Sequence, residues 1–414
     1  MTGNQREIAV IGAGIVGVCC ARWLQRDGHR VRLLDEQPPG HGCSWGNAGT
    51  IATDTVVPVA TPHTLLALPR MLLDPTGPLA VRWSYLPRMA PWFLRFLLNA
   101  RPARVRASTA VLAALCAEAV PGYEPLTAGR PAGERMAYTG WVTAFETARA
   151  LDGARWEVET KQRHGVPAEW LDAAALRERV PQLSPRVAGG VWFPDTWMVD
   201  DPGDFTARIA ADVEADGGRL DRVRVTGLAA HGERVRVETA DGALDADHAV
   251  VATGAHTRAL ARALGEDFPL DTERGYHAML PDPGLAPPMP VMSGEHKFVT
   301  TPMAGGLRLA GTAELAGLER PADPRRARMI VERGSRLFPG LRTASWTDWM
   351  GFRPTLPDSL PVIGRSARTR AVSYAFGHQH LGLTLAGVTG RLVADDLAGR
   401  EPPVDLRPLR PDRF

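Results

Sequence analysis

Arg6-Glu7-Ile8-Ala9-Val10-Ile11-Gly12-Ala13-Gly14-Ile15-Val16-Gly17 is the stretch that decides how this chain is read. An apolar run enters a glycine turn and leaves it in a helical pattern that reaches Asp27-Gly28. A second strand, Val31-Arg32-Leu33-Leu34, then ends on Asp35. Each residue type answers a physical need of a bound dinucleotide. Gly12 permits the tight turn, Gly14 lets a pyrophosphate approach the backbone, and Gly17 lets the helix lie close on the strand. The helix N-terminus, at Ile15 and Val16, turns its amides and dipole toward phosphate. Asp35, followed by Glu36, stands where a carboxylate accepts from a ribose hydroxyl. The strand before, the helix after and the acid beyond separate this motif from a chance glycine turn.

A chain of 414 residues exceeds one hydrophobic core, and about two domains are expected. The net charge of +2, with signs interspersed, gives no electrostatic footprint for nucleic acid. Lys161 and Lys297 are the only lysines among 48 basic residues, a bias that, with abundant alanine and proline, fits a GC-rich genome. Cys19, Cys20, Cys43 and Cys116 form no CxxC pair, so neither a disulfide framework nor a zinc site is expected. The first strand begins by about residue 6, which leaves no room for a signal peptide. No apolar run is read as approaching the ~20 residues that span a bilayer. The expected location is therefore the cytoplasm, with peripheral attachment at the inner face of the membrane left open.

Downstream, residues 58–125 carry prolines among apolar and arginine-rich helical stretches, such as Trp92-Phe93-Leu94-Arg95-Phe96-Leu97-Leu98. These suit either a membrane-surface helix or a core-facing helix of an inserted domain, and the core-facing reading is preferred. Residues 139–147 alternate like a strand, and 148–164 and 172–180 read as helices. Asp204 to Asp216 is helical, strands follow around 222–228 and 233–239, and Ala249-Val250-Val251-Ala252-Thr253-Gly254 closes the segment. A buried strand ending in Ala-Thr-Gly recurs in FAD-dependent oxidoreductases, where small residues pass close to the cofactor. It turns the expected dinucleotide from NAD to FAD. From 270 to 340 the pattern is strand-rich, with a hairpin around Ala304-Gly305-Gly306 and a helix at about 323–337.

Trp349-Met350-Gly351-Phe352-Arg353-Pro354-Thr355 through Gly364, then Phe376-Gly377-His378-Gln379-His380-Leu381-Gly382-Leu383-Thr384-Leu385-Ala386, complete the picture. Together with Ser44-Trp45-Gly46-Asn47-Ala48-Gly49 and Gly189-Gly190, this block resembles the D-amino-acid oxidase superfamily, most closely its bacterial D-amino-acid dehydrogenase and D-hydroxyproline dehydrogenase branch. The resemblance implies a mixed α/β fold. A Rossmann-like FAD-binding domain would be assembled from 1–57, 198–262 and 346–414, and a mixed-sheet substrate-binding domain from 58–197 and 263–345. It implies flavin contacts at Ser44, Trp45, Asn47, Ala48, Gly49, Val225, Thr253, Gly254, Gly382, Leu383 and Thr384. The turn at Gly382 opens a helix whose amides can meet negative charge developing on the flavin. Arg353 resembles the arginine that grips the substrate carboxylate, Tyr276 falls where relatives place a substrate-binding tyrosine, and His378 or His380 is a candidate for substrate contact.

Departures from the relatives carry further expectations. Gly46 stands where histidyl-linked flavoenzymes have histidine, and Met350 where sarcosine oxidases have a flavin-linking cysteine, so non-covalent FAD is expected. Arg308 stands where sarcosine oxidases carry a lysine that helps oxygen react. The expected enzyme dehydrogenates a D-amino acid or a cyclic imino acid such as D-hydroxyproline. It takes a small amine with a carboxylate as substrate and passes electrons to an acceptor such as a quinone. A homo-oligomer is compatible with all of this. An oxygen-using glycine- or sarcosine-type oxidase and a catalytically silent flavin-binding subunit are the alternatives. A flavin monooxygenase is disfavoured by Val362-Ile363-Gly364-Arg365, which lacks the usual Gly-Asp pair.

Overall fold

Glu7–Ile11 lies inside a six-stranded sheet, flanked by Arg30–Asp35 and His248–Val251, both parallel to it. The full order is Arg219–Arg222, Arg30–Asp35, Glu7–Ile11, His248–Val251, Val372–Phe376, Val362–Arg365, and only the last pair is antiparallel. The computed structural model describes residues 5–73 and 77–414. Both faces of this sheet are covered, which is why its strands read as continuous apolar runs. Ile8 and Val10 pack with the helices Ile15–Arg26, Pro202–Ala215 and Gly382–Ala398. Ala9 and Ile11 pack on the other face, against the small sheet of Val225–His231, Arg234–Thr239 and Gly242–Ala246. Gly390 lets two of the helices close up, since a Cβ there would lie 2.6 Å from the Cys19 carbonyl oxygen.

A second sheet runs in the order Thr347–Thr355, Asp271–Leu280, Gly306–Leu315, Phe298–Met303, Val291–Ser293, Trp141–Phe145, Gly189–Phe193, Glu169–Asp172. Its strand Thr347–Thr355 departs from the division drawn from sequence, which put 346 onward with the nucleotide-binding segments. It pairs from Asp271↔Thr355 to Met279↔Thr347, so the chain passes from the second sheet to the first between Thr355 and Val362. Arg353 thereby stands on the second sheet, at its junction with the first.

Two expectations about apolar helices are corrected. Pro102–Ala117 and Ala119–Thr127 together are long and apolar enough to cross a membrane. Leu112, Leu115, Tyr123 and Leu126 are nevertheless buried in the protein core, and the Tyr123 hydroxyl donates to the Leu383 carbonyl at 2.6 Å. The helix Leu86–Asn99 buries Met89, Trp92 and Phe96, but Leu94, Leu97 and Leu98 are exposed, at 60%, 46% and 44%. It is apolar on two faces rather than simply core-facing.

Candidate active site

The glycine motif forms a tight turn between strand and helix. Gly12 has φ 105°, and a Cβ on it would lie 2.6 Å from the Ala252 carbonyl oxygen. A Cβ on Gly17 would lie 1.8 Å from the Gly12 carbonyl oxygen, so helix and turn meet backbone to backbone. Gly14 is open by comparison, with only Ser44 Oγ near, at 3.4 Å from an added Cβ. Ser44 Oγ accepts from the Ile15 amide at 2.9 Å, tying the segment after the second strand to the helix N-terminus. Asp35 accepts from the amides of Ala13 and Gln37, at 2.7 and 2.9 Å, and so braces the turn from the strand end. The Glu36 carboxylate lies 3.7 Å from Arg224, beside Val225. Thr253 hydrogen-bonds Thr257, and Gly254 takes φ 55° with open space at its Cβ position.

From the glycine turn, residues 44–52 lead to a cavity of about 650 Å³ between the two sheets. Asn47, Ala48, Thr50 and Ala52 line it on one side, and Leu381 and Thr384 on another. Thr384 Oγ1 accepts from the Ala52 amide at 3.0 Å, which fixes the N-terminus of Gly382–Ala398 against this segment. Asn47 folds its side chain back onto the Gly49 amide at 2.9 Å. Gly49 itself has φ 76°, and a Cβ there would lie 2.5 Å from the Val199 carbonyl oxygen. The Trp349 indole fills the space over Gly46, where a Cβ would come within 2.0 Å of the ring. That indole stacks on His277 at 5.2 Å, with Trp45 at 6.0 Å. Behind the segment, Arg308 donates to the carbonyls of Asn47 and Trp45, at 2.6 and 3.1 Å, and burial brings its guanidinium down to about 10.

Arg353 projects from the cavity floor. Its guanidinium lies over Gly275, where a Cβ would collide with it at 2.5 Å, and donates to the Thr312 carbonyl at 3.0 Å. That is its one side-chain hydrogen bond among the described residues, so most of its five donors are uncommitted. Glu273, directly across the ladder, is held above the ordinary carboxylate range by burial, with Arg353 pulling the other way.

The other three sequence candidates divide. Tyr276 borders the cavity, but its hydroxyl donates to Glu314 at 2.5 Å and accepts from the Asp323 amide at 3.0 Å. Its ring belongs to the core on the far side of the sheet, and the substrate-binding role is not supported. His378 is 3% exposed and bonds Thr389 Oγ1 at 2.9 Å; burial pushes it down to about 3, a neutral core histidine with no face on the cavity. His380 does line the cavity and its side chain is exposed there; the surrounding wall, together with the charges of Arg353 and Lys161, pushes it downward, so it is neutral at pH 7.

Several cavity residues escaped the sequence reading. Lys161 Nζ lies 2.8 Å from Asp54 and 3.2 Å from Glu157; burial opposes its charge, and the two carboxylates overcome that. His63 packs on Trp156 at 4.6 Å. Thr312, Gln379 and Lys297 line the cavity with left-handed backbone, φ 57°, 51° and 54°. The one available signal was the isolation of Lys161 and Lys297 in an arginine-rich chain.

A glycine turn suited to a pyrophosphate, joined by one segment to a half-open cavity that holds a guanidinium with no ion pair among the described residues, defines a dinucleotide-dependent enzyme with a substrate cleft. The chain belongs to the DAO family of FAD dependent oxidoreductases, whose model matches residues 7–396. It is 38% identical over 419 residues to a D-amino-acid oxidase of Bradyrhizobium diazoefficiens, covering 99% of both chains. It is 33% identical over 433 residues to a D-amino acid dehydrogenase of Paramagnetospirillum magneticum, again covering 99% of both. Its fold is similar to the crystal structure of glycine oxidase from Geobacillus kaustophilus, with a TM-score of 0.75, 21% identity and full coverage of both chains. FAD is thus the dinucleotide, and the glycine turn, which has no room for a Cβ at Gly12 or Gly17 and is open at Gly14, is suited to it.

Proposed function

We propose that the protein oxidises a D-amino acid, or a small cyclic imino acid such as D-hydroxyproline, at the α-carbon. The carrying observation is Arg353: a guanidinium at the floor of the cavity with one carbonyl bond and no ion pair among the described residues. Its planar fork matches a carboxylate bidentately. When bound, FAD would supply the two-electron acceptor for the α-hydrogen and its bonding electrons. Arg353 orients the substrate so that its α-carbon faces the 46–52 segment. The N-terminus of Gly382–Ala398 stabilises negative charge that develops nearby. The substrate amine must be neutral when its α-hydrogen leaves. Neutral His380 lines the same cavity and adds no positive charge against the product iminium. A primary amine's imino product is hydrolysed to a 2-oxo acid and ammonia. Relatives named D-amino-acid oxidase and D-amino acid dehydrogenase support the substrate class.

The same proposal takes FAD as non-covalent, because Trp349 occupies the space a side chain at Gly46 would need. It takes the acceptor as a quinone-like molecule rather than oxygen, because Arg308 is spent on the Trp45 and Asn47 carbonyls. An oxygen-using enzyme is the second reading, favoured by the name of the 38%-identical relative. Anaerobic mixing of holoenzyme with D-amino acids tests the reaction, and acid precipitation tests the attachment. Flavin bleaching and flavin released to the supernatant are expected; flavin that stays oxidised, or stays with the denatured chain, contradicts the respective claim.

A further inference from the structure

All but two of the 48 basic residues of this chain are arginine. Both lysines, Lys161 and Lys297, line the cavity, and Arg353 is the only arginine that does so among the described residues. A compositional drift toward arginine would have spared lysines only by chance, and chance does not put both at one site.

The two differ in what holds them. Lys161 is buried and fixed by Asp54 and Glu157, with the Phe193 ring 4.7 Å away. Lys297 is exposed to the cavity mouth and has no carboxylate within 4.0 Å among the described residues. Its left-handed φ of 54° is a conformation that side-chain-bearing residues keep only where the surroundings enforce it. The enforcement is visible. The Lys297 amide donates to Ser293 at 2.9 Å, and Glu295 accepts from the amides of Glu146 and Thr147. Three of the four non-glycine residues with such backbone among the described ones line this cavity.

Lys297 also stands near the clamp. Its carbonyl oxygen would lie 2.7 Å from a Cβ on Gly311, and Arg353 donates to the carbonyl of the next residue, Thr312. The Lys297 backbone and the Arg353 guanidinium therefore meet the strand Gly306–Leu315 at adjacent residues, and neither side chain has a carboxylate within 4.0 Å among the described residues. Glu157, the only acid on the cavity wall among the described residues, is paired with Lys161 and also feels the charge of Lys297. A substrate carboxylate on Arg353 answers one cation and leaves Lys297 with only the more distant charge of Glu157, which lies beyond 4.0 Å and is already paired with Lys161.

We propose that Lys297 is a specificity-determining residue whose ammonium receives a second carboxylate, or a like anionic group, on the side chain of the amino-acid substrate. The enzyme then favours acidic D-amino acids over alkyl ones. This rests on Arg353 holding the α-carboxylate. A compact ammonium on an unbranched stem suits a single anionic group at the cavity mouth, where a guanidinium fork would demand a wider partner surface.

The test compares holoenzyme with Lys297→Met and Lys297→Arg. The quantity measured is the second-order rate constant of anaerobic flavin reduction by D-glutamate, D-aspartate, D-alanine and D-norvaline. In the native enzyme the acidic substrates should lead. Lys297→Met should lower the ratio of acidic to alkyl rate constants by about tenfold or more, as expected when a site loses the group that bonds a substrate feature. Lys297→Arg should recover only part of that ratio. An unchanged ratio overturns the proposal. If no D-amino acid bleaches the flavin, the proposed reaction fails, yet Lys297 is still judged by binding. Glutarate and propionate should perturb the flavin spectrum, and Lys297→Met should weaken glutarate relative to propionate by about tenfold. Equal effects on the two overturn the assignment.

Discussion

Replacing Arg353 with alanine separates a substrate clamp from a structural arginine. The structure gives the side chain one internal hydrogen bond, to the Thr312 carbonyl, and no ion pair among the described residues. Losing that bond costs folding about 1 kcal/mol. The strand Thr347–Thr355 keeps its nine-residue ladder with Asp271–Leu280 in any case. FAD content should persist, because the glycine turn at Gly12 to Gly17 belongs to the other sheet. Substrate handling is a different matter. Two charge-assisted bonds to a carboxylate are worth roughly 1.5–3 kcal/mol each, so the second-order rate of flavin reduction should fall by about two to four powers of ten. Arg353→Lys should recover little of it, since a point charge lacks the planar fork. Anaerobic stopped-flow mixing, with the flavin spectrum as the fold control, measures both quantities. A well-folded Arg353→Ala enzyme reduced by amino acids at near-native rates would refute the clamp.

Two further outcomes are expected. Burial pushes His248 and His378 from 6.5 to about 3 in the folded protein, while the unfolded chain keeps the ordinary value. The unfolded state then binds more protons below about 6.5, so stability is intact above that pH and falls with acidification, by about 1.4 kcal/mol per pH unit for each histidine. Tm should drop between neutral pH and about pH 5, and His378→Asn should blunt the drop; a flat profile would contradict the burial of neutral imidazoles. The second outcome concerns the exposed face of Leu86–Asn99, with Leu94, Leu97 and Leu98 beside Trp83. Residues 75–117 include six arginines and no acidic residue. That combination suits an anionic bilayer surface, so the protein should float with phosphatidylglycerol vesicles at low salt, and Leu94→Glu with Leu97→Glu should abolish flotation. Equal flotation of native and doubly substituted protein would remove this face from the account.

Legibility in the sequence followed the range of the interactions. Gly12, Gly14, Gly17 and Asp35 could be read because turn, helix start and strand end lie within one short βαβ unit. Arg353 was legible only through the block around it, since nothing in its neighbours announces that Gly275, on another strand, makes room for it. His378 and His380 are two residues apart at a helix entrance, and composition does not say which faces Thr389 and which the cavity. The hydrogen bond that engages the Tyr276 hydroxyl has no local trace, because its partner Glu314 is 38 residues away. Lys161 and Asp54 are 107 residues apart, and their pairing has no local trace. The sheet membership of Thr347–Thr355 was hidden because a single recognisable block spans the crossing from one sheet to the other.

We propose that the cavity beside the FAD site oxidises an amino acid held by Arg353. The most direct measurement mixes purified holoenzyme with D-amino acids, their L-enantiomers and the corresponding amines without a carboxylate, in the absence of oxygen, and follows the flavin absorbance. Rapid bleaching by D-amino acids is expected, with little by L-enantiomers and little by decarboxylated amines. Reoxidation should be faster with a quinone than with air. Bleaching that is indifferent to the carboxylate, or no bleaching by any amine, would contradict the proposal.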